Sequence, residues 1–274
     1  MTGVEVEPGV RLAVHAAGPQ PPAVVLVHGL ASTARLWAPV AAALAAEDVG
    51  TVAVDLRGHG DSDLPDHGFD TPTAADDLAR VVRGLATGPV VLAGQSWGGN
   101  VVLRLAAHHP DLVAGLALVD GGWIRLAGRY DDWVSARAAL TPPPIDGLPL
   151  SALRAAMAPT FADFPAGALD AALSVVRVLP DGTVRRRLPV PRHLQILESL
   201  WAEDPREHYP RVVAPTLLMP AADTSGEVVG VVGQEVADGV AGLSTARLRP
   251  YPGAHHDLHL QRPLEVAADL RSLL

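Results

Sequence analysis

A chain of 274 residues with 49% apolar residues and a net charge of −9 can bury a sizeable core as one large α/β domain or two small ones. The negative balance argues against nucleic acid or an anionic membrane as partner. Cysteine is absent and all 21 basic residues are Arg, which excludes disulfides, thiolate ligands, Cys nucleophiles and Lys Schiff-base catalysis.

The first residues, Met1 to Glu7, lack a basic stretch followed by an apolar run, so no secretory signal is expected. No apolar stretch reaches bilayer length. The expected setting is cytoplasmic, with a small-molecule substrate, no membrane or nucleic-acid partner, and a monomer or homodimer. Aromatic residues make up only 4%, so Val, Leu and Ala must build the core.

Short apolar runs alternate with helical segments, the pattern of a parallel sheet with crossover helices. Val4–Glu7 and Val10–His15 read as paired early strands. Ala23–Val27 is a continuous apolar run, as in a strand buried on both faces. A helix over Leu36–Ala46, a strand over Thr51–Val54 and a helix over Thr73–Ala86 follow. The next units are a strand at Val90–Ala93, a helix at Trp97–His108 and a strand at Leu112–Val119. The rhythm then breaks. From Gly121 to about Tyr209 there is no clear strand, proline is frequent, and seven of the eleven aromatic residues gather. Strands resume at Pro215–Met219 and Thr245–Tyr251, around a helix near Val228–Val240, and Pro263–Leu274 reads as a final helix. The division expected is a core domain of residues 1–120 and 210–274 and a helical cap insertion of residues 121–209.

Gly94-Gln95-Ser96-Trp97-Gly98 fits the G-x-S-x-G nucleophile elbow between a strand and a helix, the context that gives this short motif its specificity. Ser96 is the candidate nucleophile. Side chains at 94 or 98 would crowd the turn, and a helix N-terminus beneath Ser96 favours the negative charge that develops in acyl transfer.

With Val27-His28-Gly29, Asp55-Leu56-Arg57-Gly58-His59-Gly60-Asp61-Ser62 and Gly253-Ala254-His255-His256 in the same order, the chain resembles the α/β-hydrolase superfamily over nearly its whole length. The resemblance implies a mostly parallel eight-stranded sheet flanked by helices. It also implies His256 as general base and an oxyanion hole from the N–H groups of Leu30 and Trp97. His28, Arg57 and His59 read as loop scaffolding. A metal site built from His255, His256, Asp257 and His259 lacks a recognised ligand spacing, and no cofactor or metal is expected. The triad acid has two candidates: Asp223, the first choice, after the strand at Pro215–Met219, and Asp120, at the end of the strand at Leu112–Val119. Trp123 and Trp133 are candidates for an apolar substrate pocket. The expected activity is hydrolysis of an ester, lactone or thioester of a small, largely apolar substrate through an acyl-enzyme. The alternatives are C–C bond hydrolysis, cyclisation or cofactor-free peroxidase-type chemistry on the same site, or a binding protein that keeps the fold.

Overall fold

The computed structural model describes residues 2–274. Eight strands form one sheet: β1 (Thr2–Glu7), β2 (Val10–Ala17), β3 (Val24–Val27), β4 (Thr51–Val54), β5 (Val90–Gln95), β6 (Val113–Val119), β9 (Thr216–Met219) and β11 (Ala246–Leu248). Their order is β1-β2-β4-β3-β5-β6-β9-β11. β2 runs antiparallel to β1 and β4, and every pair from β4 onward is parallel. The expected α/β-hydrolase sheet is borne out.

Strands β3, β4, β5 and β9 are buried at every position because both faces are covered, and the period of two divides their apolar residues between two cores. Val25, Val27, Val52, Val54, Leu92 and Leu118 point into one. Helices α2 (Thr71–Leu85) and α3 (Trp97–His108) close that face, contributing Leu78, Val82, Val101 and Leu105. Val24, Leu26, Ala53, Val91, Ala93 and Val119 point into the other. There α1 (Ala38–Ala46) and α10 (Pro263–Arg271) pack over the sheet through Val40, Leu44, Val266 and Leu270. With aromatics scarce, Val and Leu supply this burial, each worth roughly 1.5–3 kcal/mol when fully removed from water.

Local chemistry sets the helix ends. Asp70 caps α2, its carboxylate accepting the Thr73 N–H at 2.7 Å, and Pro72 occupies the first turn, where a missing N–H costs nothing. The helix therefore starts two residues before the expected Thr73.

Between β6 and β9 lie helices α4 (Trp133–Leu140), α5 (Leu150–Met157), α6 (Ala168–Ala172) and α7 (Val190–Ala202). They include a feature absent from the sequence reading, a hairpin of β7 (Val176–Val178) and β8 (Val184–Arg186). At three residues each, its strands are too short for alternation to register, and the turn around Gly182 (φ +82°) carries the reversal. The expected last strand at Thr245–Tyr251 is split. Ala246–Leu248 joins the main sheet as β11, whereas β12 (Tyr251–Pro252) pairs separately with β10 (Ala221–Ala222). α8 (Gly230–Gly242) and the short α9 (Leu258–Gln261) complete the chain.

Candidate active site

Ser96 sits between the end of β5 and the start of α3 with φ 54° and ψ −125°, a conformation that costs a non-glycine residue on the order of 1–3 kcal/mol. Its surroundings hold it there. The Ser96 N–H donates to the Val119 carbonyl at 3.0 Å and its own carbonyl accepts the Gly99 N–H at 2.9 Å. Side chains are shut out on two sides. A Cβ at Gly98 would come within 2.7 Å of the Val27 carbonyl oxygen, and one at Gly121 within 2.6 Å of Ser96 Cα. Four non-glycine residues among those described have positive φ, and three of them, Ala31, Ser96 and Asp120, lie at the C-terminal ends of β3, β5 and β6. Strain is concentrated where the parallel strands end, the edge at which open α/β sheets bind ligands.

His256 lies after β12, and its Nδ1–H donates to Asp120 Oδ2 at 2.6 Å. The other Asp120 oxygen accepts the Ala221 N–H at 3.0 Å. Two further side chains fix the partners. Gln95 Nε2 donates to the His256 carbonyl at 3.2 Å. Asn100 holds the segment after Asp120, accepting the Gly122 N–H at 3.0 Å and donating to the Ile124 carbonyl at 2.9 Å. Burial disfavours the imidazolium, but the Asp120 carboxylate outweighs it and raises the His256 pKa above the ordinary histidine value.

Asp223, the first choice from sequence, does not reach His256. Its carboxylate closes a local turn, accepting the N–H groups of Ser225 and Glu227, both at 2.9 Å, and the Ser225 hydroxyl at 2.7 Å. Those bonds hold it at the surface and its pKa low. The residue placed against the histidine is Asp120.

Ser96 and His256 line one cavity of about 270 Å³ with Leu30, Met157, Phe161 and Val175. Trp123 and Trp133 are not among its walls. Trp123 is 2% exposed within the core, and Trp133 packs against Trp201 with ring centroids 6.1 Å apart. The apolar lining comes instead from α5 and the turns that follow it. The small side chains of the sequence Leu-Arg-Ala-Ala-Met gave little sign of this.

The Leu30 N–H finds no acceptor among the described residues, and Trp97 opens α3, so its N–H lacks an intrahelical acceptor. The Trp97 side chain points away into the core, its Nε1 donating to Thr71 Oγ1 at 3.2 Å. Beside Leu30, two buried histidines brace the loop. His28 Nδ1–H donates to the Gly29 carbonyl at 2.7 Å while Nε2 accepts the Leu56 N–H at 3.0 Å. His59 Nδ1–H donates to the Arg57 carbonyl at 2.8 Å while Nε2 accepts the Ala31 N–H at 3.1 Å. Burial lowers both pKa values, that of His59 to about 3, so both rings are neutral. Arg57 is clamped by Asp77 at 2.6 Å and Glu7 at 2.9 Å.

His255 is turned toward Phe164 (ring centroids 5.4 Å) and accepts the Asp257 N–H at 3.1 Å. His259 is fully buried against Trp37 (4.4 Å), with no hydrogen-bond partner for either nitrogen among the described residues. His255, His256, Asp257 and His259 do not form a converging ligand group among the described residues. One other group of metal-ligand types converges, His15, Asp55 and Asp61. Asp55 already accepts from Ala34 N–H at 2.7 Å, Asp61 N–H at 3.0 Å and His15, and Asp61 pairs with Arg187 at 2.8 Å. These donors fill the acceptor positions that a cation would need.

The sheet order is that of an α/β-hydrolase, and Ser96, His256 and Asp120 gather at one edge of it. Residues 24–269 match the alpha/beta hydrolase family, and the chain belongs to that family of enzymes. It is 33% identical to the lipase LipV of Mycobacterium tuberculosis over 97% of this chain and 98% of that protein. It is also 37% identical to the 2-(acetamidomethylene)succinate hydrolase of Mesorhizobium japonicum, over 36% of this chain and 35% of that protein. A crystal structure of E-2-(acetamidomethylene)succinate hydrolase superposes with a TM-score of 0.81 at 25% identity, covering 99% of this chain and 97% of that one. No helix among the described residues is long and apolar enough to cross a membrane.

Proposed function

We propose that this enzyme is a serine hydrolase that cleaves an ester, lactone or thioester of a small substrate with a largely apolar acyl part, through an acyl-enzyme. The observation that carries the reading is the 2.6 Å hydrogen bond between Asp120 and His256 at a cavity whose wall includes Ser96. With Nδ1–H committed to Asp120, the histidine presents its Nε2 lone pair to take the Ser96 proton. Ser96 Oγ attacks the carbonyl carbon, and the oxyanion is stabilised by the N–H groups of Leu30 and Trp97. The imidazolium then protonates the leaving group, and water, deprotonated by His256, releases the acid. Residues 121–209 act as a cap on a core of residues 1–120 and 210–274, with Met157 and Phe161 facing the acyl chain.

The test is labelling with a fluorophosphonate followed by peptide mapping. Modification at Ser96, together with loss of p-nitrophenyl ester turnover by at least about 10³-fold in Ser96→Ala, supports the reading. Labelling elsewhere, or an active Ala variant, overturns it.

A further inference from the structure

A second depression adjoins the cavity. It is a groove of about 480 Å³ whose walls carry four guanidinium groups, from Arg35, Arg154, Arg177 and Arg187, and one carboxylate, Asp170. In a chain with 30 acidic residues against 21 arginines this local balance is the reverse of the average. Arg154 is neutralised by Asp170 and Arg187 by Asp61. Arg35 and Arg177 form no ion pair among the described residues. Arg35 lies on the helical turn Ala34–Trp37, directly after the loop that carries Leu30. Arg177 projects from β7, two residues after the cavity-lining Val175.

The groove and the cavity are neighbours across one small gap that shares lining residues with each. A gap of about 20 Å³, enough for one water-sized group, lies between Ser32, His59, Val175 and Arg187. Val175 and Ser32 also line the cavity, and Arg187 also lines the groove. Two buried polar atoms near this gap, Ser32 Oγ and Arg187 Nε, have no partner among the described residues. Both can donate a hydrogen bond, and buried donors are seldom left unused. From the catalytic cavity outward the walls thus run from apolar, at Phe161 and Val175, through unpaired donors, to free cations.

We propose that the substrate carries an anionic group, a carboxylate or a phosphate, bound in this groove by Arg35 and Arg177 while the scissile carbonyl lies at Ser96. The inference rests on the serine-hydrolase reading above and names the substrate class within it. Guanidinium is suited to both anions because its planar fork matches two of their oxygens. One anion source lies on the acyl side and the other on the leaving-group side.

The experiment compares the wild type with the double variant R35Q/R177Q; both sites are exposed, so the fold is expected to survive. Three substrates are used: p-nitrophenyl butyrate, the mono-p-nitrophenyl ester of glutaric acid, and butyryl coenzyme A. The wild type is expected to prefer at least one anionic substrate over the neutral ester. In the double variant the ratio of anionic to neutral kcat/KM should fall at least ten-fold, mainly through KM. Raising salt to 1 M, where the screening length shrinks to about 3 Å, should reduce the wild-type preference in the same direction. Preference for the glutaryl ester places the anion on the acyl part, and preference for the thioester places it on the leaving group. Equal ratios in the two proteins overturn the proposal. Calorimetric titration of the same proteins with glutarate and with free coenzyme A reads the groove without catalysis. Binding that weakens at least five-fold in the double variant sustains the anion site even if no ester is turned over, in which case the serine-hydrolase reading fails alone. Ester turnover with no anion binding removes the groove proposal and leaves that reading intact.

Discussion

Asp120 and His256 are 136 positions apart in the chain, yet Oδ2 of one lies 2.6 Å from Nδ1 of the other. The contact exists because β6 and the β10–β12 pair end at the same edge, with the Ala221 N–H, at 3.0 Å, holding the second Asp120 oxygen in place. The carboxylate is therefore oriented before any substrate arrives. Asp120→Asn should leave the fold intact and lower kcat by about 10⁴-fold, because the amide favours the wrong imidazole tautomer. Asp223→Asn, which disturbs only a surface turn, should stay within about two-fold of wild type. Steady-state kinetics on one p-nitrophenyl ester decide between them, and the reverse ranking would return the role to Asp223.

That contrast shows where the sequence was legible. Strand-to-helix alternation, the Gly-x-Ser-x-Gly turn and the order of the landmarks depend on local periodicity and turn chemistry, so β3, β4, β5, β6 and β9 fall within a residue or two of where they are expected. Which carboxylate meets His256 depends on which strand end faces β12, and local pattern does not encode that. A warning was present all the same: Asp223-Thr224-Ser225-Gly226 is a turn sequence in which the aspartate bonds its own backbone. Gln95 and Asn100, which hold the His256 and Gly122 backbones, carry no sequence signal, because nothing in a single sequence marks a buried amide. Aromatic residues stand out in an aromatic-poor chain and point to Trp123 and Trp133, whereas the cavity at Ser96 is walled by Met157, Phe161 and Val175. Trp123 is large and apolar, and it went into the core.

The raised His256 pKa sets a pH profile. In the proposed mechanism His256 can accept the Ser96 proton only when neutral, so kcat/KM should climb on an acid limb as pH rises through its folded-state pKa. The midpoint is expected above the ordinary value of about 6.5. For stability the sign is opposite. A raised histidine pKa contributes stability below the unfolded value that is lost as pH rises through the folded one. An acid limb centred well below 6.5 in the free enzyme would contradict the Asp120–His256 pairing.

Chain-length preference should follow the cavity walls. Phe161→Ala and Met157→Ala enlarge the space beside Ser96, and each should shift the ratio of octanoate to butyrate ester kcat/KM upward by roughly 10-fold, the scale of one or two buried methylene groups. Trp123→Ala removes a side chain 2% exposed and should instead cost about 3–5 kcal/mol of stability with little change in that ratio. Thermal unfolding and a p-nitrophenyl ester series separate these effects. A preference shift confined to the Trp123 variant would put the pocket on the other side of the core.

His259 makes the last expectation, and it concerns acid stability. The ring is fully buried on Trp37, and burial lowers its pKa to about 4. In the unfolded chain the value is about 6.5. Between these limits the unfolded state binds a proton that the native state does not, so the native fold loses ground as pH falls. At pH 5 the loss from this residue is about 2 kcal/mol relative to pH 7. Replacing His259 by Leu keeps an apolar body against Trp37 and removes the titration. The wild-type melting temperature should therefore drop between pH 7 and pH 5 by about 3–4 °C more than that of His259→Leu. His59 contributes with the same sign, but its replacement also frees the Ala31 N–H, so it is the poorer probe. Parallel melting curves for wild type and His259→Leu over this range would mean that His259 takes up its proton without leaving the native state.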